Sequence, residues 1–374
     1  MNINELHNQA MELADMADLA KLRNEKDRAI YFYEQSYLAE RDAAMRAYTE
    51  NVGEPTISVL FRSAASLAMC CNKNREAEKL INLALSGEPP FEIAEELRDL
   101  YESVNFQRHL KLRGSELSDL EVRLVLSGNE VYPKFAKTNE IINRVADFKD
   151  LTIRNAERKA KKSFRTGAVP KDFQIFENSY LSFSEAASMA VTIKFENPKA
   201  PTIPGLSGID EIIDDITDNI LLINDNKIDL LKEKINDQKY FDNFVGLTKR
   251  LAPDGKNINL FGITSVINGI QKETPLTKNK KFISQAIIDI NTKDGVITNN
   301  ETEKINSIIH VEGILRVADA NKNFVTINSE RNTVRLLVPD GLSDIVKTYW
   351  DTAVSVDYQI EKEKKRKLLN IDKI

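Results

Sequence analysis

Cysteine is almost missing from this chain. Cys70 and Cys71 are the 2 in 374 residues, and they are adjacent. Neighbouring cysteines are poorly placed to pair with each other, so a disulfide framework is excluded and a reducing, cytoplasmic compartment is expected. Histidine is nearly as scarce. His7, His109 and His310 stand far apart and outside any ligand spacing, so neither metal nor triad chemistry is expected. With only 14 Gly and 11 Pro, long disordered linkers are not expected either. No apolar run reaches the roughly 18 residues of a membrane span. The opening, MNINELHNQAMELADMADLA, is polar and amphipathic rather than a secretory signal. No membrane partner is expected.

The familiar chemical motifs are missing too. There is no Walker A loop, no G-x-G-x-x-G, no H-E-x-x-H, no C-x-x-C and no G-x-S-x-G. The Pro-Asp-Gly triplets in LAPDGKNINL and LVPDGLSD are turn chemistry rather than phosphate loops. No cofactor, metal ligand or catalytic residue is therefore assigned. An enzyme would have to rest on acid–base groups that leave no motif.

What is present is ordinary in bulk: 42% hydrophobic, 29% charged, net charge -5. That charge attracts neither nucleic acid nor an anionic surface globally. It is unevenly placed. Residues 1–114 carry 14 Lys+Arg against 19 Asp+Glu, residues 115–305 carry 27 against 28, and residues 306–374 carry 11 against 10. Pattern changes fall close to the same places. They predict a multidomain α+β chain: helical hairpins over 1–113, an α+β domain over 114–305 and a small β-barrel over 306–374.

Residues 5–113 read as helix after helix, broken at Asn24, at Val52-Gly53-Glu54-Pro55, at Asn72-Lys73-Asn74 and at Gly87-Glu88-Pro89-Pro90. Ala64, Ala65 and Ala68 share one helical face. Past the turn come Ala77, Ile81 and Ala84, closed by Pro89. Small residues let two antiparallel helices approach, Ile81 fills the groove between them, and proline stops the second helix. This pattern resembles the tetratricopeptide (TPR) repeat. The first pair repeats it more weakly, with Ala17, Ala20, Asn24, Ala29, Tyr33 and Ser36, but Arg41 where the repeat has proline. Its offset of 48 residues, against the family's 34, implies an elongated helix through Leu38 to Tyr48. A further helix from Pro89 to Val104 would cap the stack. The resemblance implies a concave face for a peptide or partner protein. Two repeats make only a short groove, so a homo-oligomer is also compatible. Plain tight packing of a helical bundle would place the same alanines in the same seams.

Past Gly114 the alternation in LEVRLVLS (120–127) predicts a strand, and 138–163 a long helix whose stripe is Ile141, Ile142, Val145, Phe148, Leu151 and Ile153. Strands are predicted at 173–183, 187–195, 257–263 and 280–290, and helices at 208–222, 226–235 and 238–251. Two charge patterns stand out. Residues 149–172 hold eight Lys+Arg against three acids, with Arg158, Lys159, Lys161 and Lys162 as candidate phosphate contacts. Cations at a helix C-terminus also simply complement the macrodipole. Asp210, Asp214 and Asp218 share a face opposite Ile209, Ile212, Ile213, Ile216 and Ile220, which reads as a solvated helix side rather than a cation site.

From 309 onward come five short β runs, IHVEGILRVADA, FVTINS, TVRLLVP, TAVSVDYQIE and KLLNIDKI, with a short helix in PDGLSDIVKTYW between the third and fourth. The architecture resembles small barrels of OB or SH3 type. Such barrels bind single-stranded nucleic acid by stacking aromatics over a basic groove. The candidates are Phe324, Tyr349, Trp350 and Tyr358 with Arg316, Arg331 and Arg335, although Trp350 is expected to pack beneath the barrel. The leading expectation is a non-enzymatic scaffold or sensor subunit with a protein partner. An alanine-rich helical start joined to a β-barrel end resembles bacterial proteins of that build, and the TPR-like seam together with the lack of catalytic motifs suggests a stress or anti-phage setting. Nucleic-acid binding through the barrel and the basic helix end is the second reading, and an enzyme site within 115–305 the third.

Overall fold

The computed structural model describes residues 2–23, 25–110, 117, 121–132, 135–183, 189–195, 208–267, 269–293, 308–319, 322–329, 332–360 and 365–374. The chain forms two compact units, Met1–Lys111 and Leu112–Ile374.

The first unit is five helices: α1 (Ile3–Leu22), α2 (Lys26–Thr49), α3 (Thr56–Cys70), α4 (Asn74–Leu85) and α5 (Phe91–Leu110). A capping box opens α1: Asn2 accepts from the Glu5 amide at 2.8 Å while Glu5 accepts from the Asn2 amide at 2.8 Å. Helix α2 is long, 24 residues, and runs on through Leu38 to Tyr48. Helices pack in chain order, α1 on α2, α2 on α3, α3 on α4 and α4 on α5, and α5 also returns to α3. The core is made largely of alanine. Ala64, Ala65, Ala68, Ala77 and Ile81 are fully buried and Ala84 nearly so, in one cluster with Ala17, Ala43, Ala44, Ala47, Phe61 and Leu97. A methyl group at each seam lets helix axes approach to the short end of the usual 8–10 Å.

The second unit begins with an antiparallel sheet of order β4-β5-β1-β6-β7, made of β1 (Glu121–Ser127), β4 (Ser179–Phe183), β5 (Met189–Phe195), β6 (Leu260–Ile267) and β7 (Ile270–Pro275). A small hairpin, β2 (Val131–Tyr132) and β3 (Phe135–Ala136), stands apart. Leu124 and Leu126 on β1 face Ile263 and Phe261 on β6, and with Val122 they bury one face. That face shares its core with α6 (Thr138–Lys159), α7 (Ile209–Asn224), α8 (Ile228–Lys234) and α9 (Gln238–Leu251).

Several expectations are corrected here. Residues 280–290 are not a strand but lie in α10 (Lys280–Lys293). Phe282, Ile283, Ala286, Ile287 and Ile290 recur at helical spacing and pack on the core, and the Asn279 side chain accepts from the Phe282 amide at 2.9 Å. Residues 173–183 split into a 3-10 helix, Lys171–Phe176, and β4. β7 was not anticipated, because QKETP is polar and lies at a sheet edge. Ile142, expected on the α6 stripe, is 48% exposed.

The chain ends in β8 (Ile308–Asp319), β9 (Phe324–Asn328), β10 (Thr333–Leu337), α11 (Ser343–Lys347), β11 (Ala353–Ile360) and β12 (Arg366–Lys373). The strand order is β10-β12-β11-β8-β9, and the ring closes through the parallel pair of β10 with β12 at Leu337 and Lys367. Elsewhere in the ring, Gly313 permits the close approach of β8 to β9, since a Cβ there would lie 2.5 Å from the Asn328 carbonyl. The barrel and the sheet layer share one apolar core. Polar ties reinforce it at α9. Asn243 donates to the Gly341 carbonyl at 3.0 Å, and buried Lys249 donates to the Ile371 carbonyl at 2.9 Å and to Asp372 at 2.8 Å. Trp350 does not pack beneath the barrel. It is 56% exposed, and its neighbour Tyr349 is buried instead, beneath the Arg250 guanidinium.

Candidate partner-binding groove

In the helical unit a concavity of about 510 Å³ runs between α1, α3 and α5. Met11 and Ala14 come from α1, Arg62, Ser63, Ser66 and Leu67 from α3, and Glu96, Asp99, Leu100 and Ser103 from α5. These positions recur every three or four residues, so each helix gives the groove one face. Each contributing helix is the first of its hairpin, or the closing α5. The second helices, α2 and α4, do not line it, and buried alanines from α1, α2, α3 and α4 pack the seams.

The walls are polar and the floor is partly apolar. Arg62 forms an ion pair with Glu96 across the groove. Asp99 has acidic company. Burial first, and then Glu102, Glu95 and Glu96, hold its carboxyl above the usual value. Behind the groove the His7 ring sits 2.9 Å from the buried Glu40 carboxylate. Burial drives the Glu40 carboxyl upward, and the His7 contact opposes it. No motif marks this site, because its residues are separated by dozens of positions and are individually ordinary. The alanine spacing that stacks the hairpins is the only sequence signal for it.

The basic end of α6 is largely engaged internally. Arg158 pairs with Asp215 of α7 and donates to Asn155 at 2.9 Å, and Lys159 reaches the Glu211 carbonyl at 3.4 Å. Burial pushes the Asp215 carboxyl up, but Arg158 and Lys234 outweigh it and hold it below the usual range. Lys161 and Lys162 remain exposed. Farther along α6, Arg154 is buried among Glu157, Asp344 and the Phe164 ring, beside a cavity of about 250 Å³ whose guanidinium donors already meet protein acceptors. On α7, Asp214 and Asp218 both accept from Lys272 at 2.6 Å. Among the described residues no cluster of three or more His, Cys, Asp or Glu side chains is placed to hold a metal ion.

On the barrel, Arg316 pairs with Asp351, and Arg335 stacks 3.5 Å over the Phe324 ring. Tyr358 is buried, and Arg331 lies outside the described residues. The side chain of His109 is likewise outside them. One grouping escaped the sequence reading. The His310 Nδ1 lies 2.8 Å from Asp357, and Ser355 Oγ lies 3.4 Å from its Nε2. Strand register explains it, since His310 and Asp357 are directly opposed on β8 and β11. The hydrogen bond to Asp357 pushes the imidazole above its usual value, with Glu312 adding to it. The pair of His310 with Asp357 is thus a cross-strand contact on the exposed face of the barrel, and the Ser355 hydroxyl lies at the outer limit of hydrogen-bond reach.

No helix among the described residues is long and apolar enough to cross a membrane. Comparison with protein-family models, with curated proteins and with solved structures finds no match to this chain.

Proposed function

We propose that the protein is a non-enzymatic docking subunit that holds a partner protein in the groove of its helical unit. The observation that carries this reading is the three-helix concavity of about 510 Å³, built by Met11, Arg62, Ser66, Asp99 and Leu100. The order of hairpins, α1–α2 then α3–α4 then α5, supports a TPR-like stack, in which such a face accepts an extended or helical segment. The barrel supports an OB-like reading: its third and fifth strands pair in parallel, and a helix joins strands three and four. Its role in this proposal is as a docked structural module, since Arg316 is paired with Asp351 and Arg335 covers the Phe324 ring.

The test is affinity capture of the tagged protein, with and without nuclease, beside Ser66→Trp. Ser66 is exposed in the groove, so an indole there fills it without touching the core. A protein that survives nuclease and disappears with Ser66→Trp supports the proposal. Partners lost with nuclease but indifferent to Ser66→Trp would move the function to the barrel and the basic helix end.

A further inference from the structure

We infer that the segment held by the groove is basic, a short peptide presenting Lys or Arg beside a medium-sized apolar side chain. This rests on the docking proposal and names the chemistry of its partner. Charge complementarity carries it. Residues 91–106 of α5 hold five acids, Glu92, Glu95, Glu96, Asp99 and Glu102, against the single Arg98. Within the groove Arg62 answers Glu96, and the charges that bear on Asp99 are the acids Glu102, Glu95 and Glu96, so Asp99 is the wall charge that a cation would meet. The facing wall on α3 is Ser63 and Ser66, hydroxyls that accept from an ammonium or from peptide N–H groups. Leu67, Leu100 and Met11 form the apolar floor.

Size sets the length. Glu96 to Ser103 spans seven residues of helix, roughly 10 Å at 1.5 Å each. An extended peptide covers that distance in about three residues at 3.3 Å each. An acidic segment would meet Asp99 on the wall and be repelled.

The experiment uses the full chain and fluorescence polarisation with a labelled Ala-Leu-Lys-Leu-Lys-Ala peptide, its Gln-for-Lys analogue and its Glu-for-Lys analogue. The expected result is binding of the lysine peptide, at least tenfold weaker binding of the glutamine peptide and none of the glutamate peptide. Asp99→Asn weakens the lysine peptide about fivefold, the upper end for one partly exposed ion pair. Ser66→Trp abolishes it. Melting curves check that the variants fold, and Ser66→Glu carries the opposite expectation to Ser66→Trp, since an added carboxylate strengthens the lysine peptide. Equal binding of lysine and glutamine peptides, with loss of both in Ser66→Trp, overturns the basic preference and leaves the docking proposal standing. Lysine-peptide binding that persists in Ser66→Trp is attraction outside the groove and overturns the inference. Absence of peptide binding, together with partner capture indifferent to Ser66→Trp, removes the docking proposal itself.

Discussion

Replacing Ile81 by alanine tests whether the helical unit is held by close-packed seams. Ile81 is fully buried on α4, among Ala64, Ala65, Ala68, Ala77 and Leu80. Three carbon groups are lost, about 2.4 kcal/mol at roughly 0.8 kcal/mol each. The cavity left behind adds to this, because alanine neighbours have no long side chains to swing into it. A total of about 3–4 kcal/mol follows, inside the range seen for isoleucine truncations. For a unit near 110 residues that lowers the melting midpoint by roughly 15 °C. The opposite change at the same seam, Ala65→Leu, also destabilises, by about 1–3 kcal/mol, because no space exists for the added carbons. The assay is thermal unfolding followed by far-UV circular dichroism, which reads the helices. Fluorescence of the single Trp350, in the second unit, reports that unit separately. A loss below about 1 kcal/mol for Ile81→Ala, or tolerance of Ala65→Leu, would refute the seam.

Three more predictions concern the second unit. Burial pushes the Asp242 carboxyl up to about 6, so its native state binds a proton more tightly than the unfolded chain does. Stability from this group is full below the unfolded value near 3.9 and is lost as pH rises through about 6. Asp242→Asn therefore flattens the urea-unfolding profile between about pH 4 and 6 and raises stability at pH 7 by up to about 3 kcal/mol; an unchanged profile sinks the argument. Gly341→Ala forces a Cβ to within 2.5 Å of the Lys239 carbonyl, which is backbone and cannot turn aside, so it destabilises by about 1–3 kcal/mol in the same assay. His310 titrates by NMR above its ordinary value, and Asp357→Asn returns it toward that value; a normal midpoint in the native chain would dissolve the ion pair with Asp357.

Much of the fold could be read from residue order, because local pattern and tertiary role agree. Strands β9, β10 and β11 alternate buried and more exposed residues, and the inward ones, such as Val325, Ile327, Val334 and Leu336, are apolar. The alanines of α3 and α4 lie in their seams for the reason their spacing suggests. The errors have physical causes. KKFISQAIIDI is rich in β-branched residues, yet its apolar spacing is helical and the spacing prevails. The aromatic pair Tyr349–Trp350 offered two ways to bury one ring, and the Arg250 guanidinium lies over Tyr349. The destination of a cation was beyond local reading. Arg158 meets Asp215 at a separation of 57 residues, and Arg154 meets Asp344 at 190. The groove was visible only as an implication of the stacked hairpins, since Met11, Ser66 and Asp99 come together solely through packing.

The most direct measurement of the central claim is site-specific photo-crosslinking in cells, with a benzophenone side chain at position 66 in the groove and, in a second strain, at position 335 on the barrel's outer face. The account predicts one discrete protein adduct from position 66 and none from position 335. A nucleic-acid or protein adduct confined to position 335, with nothing at 66, would contradict it.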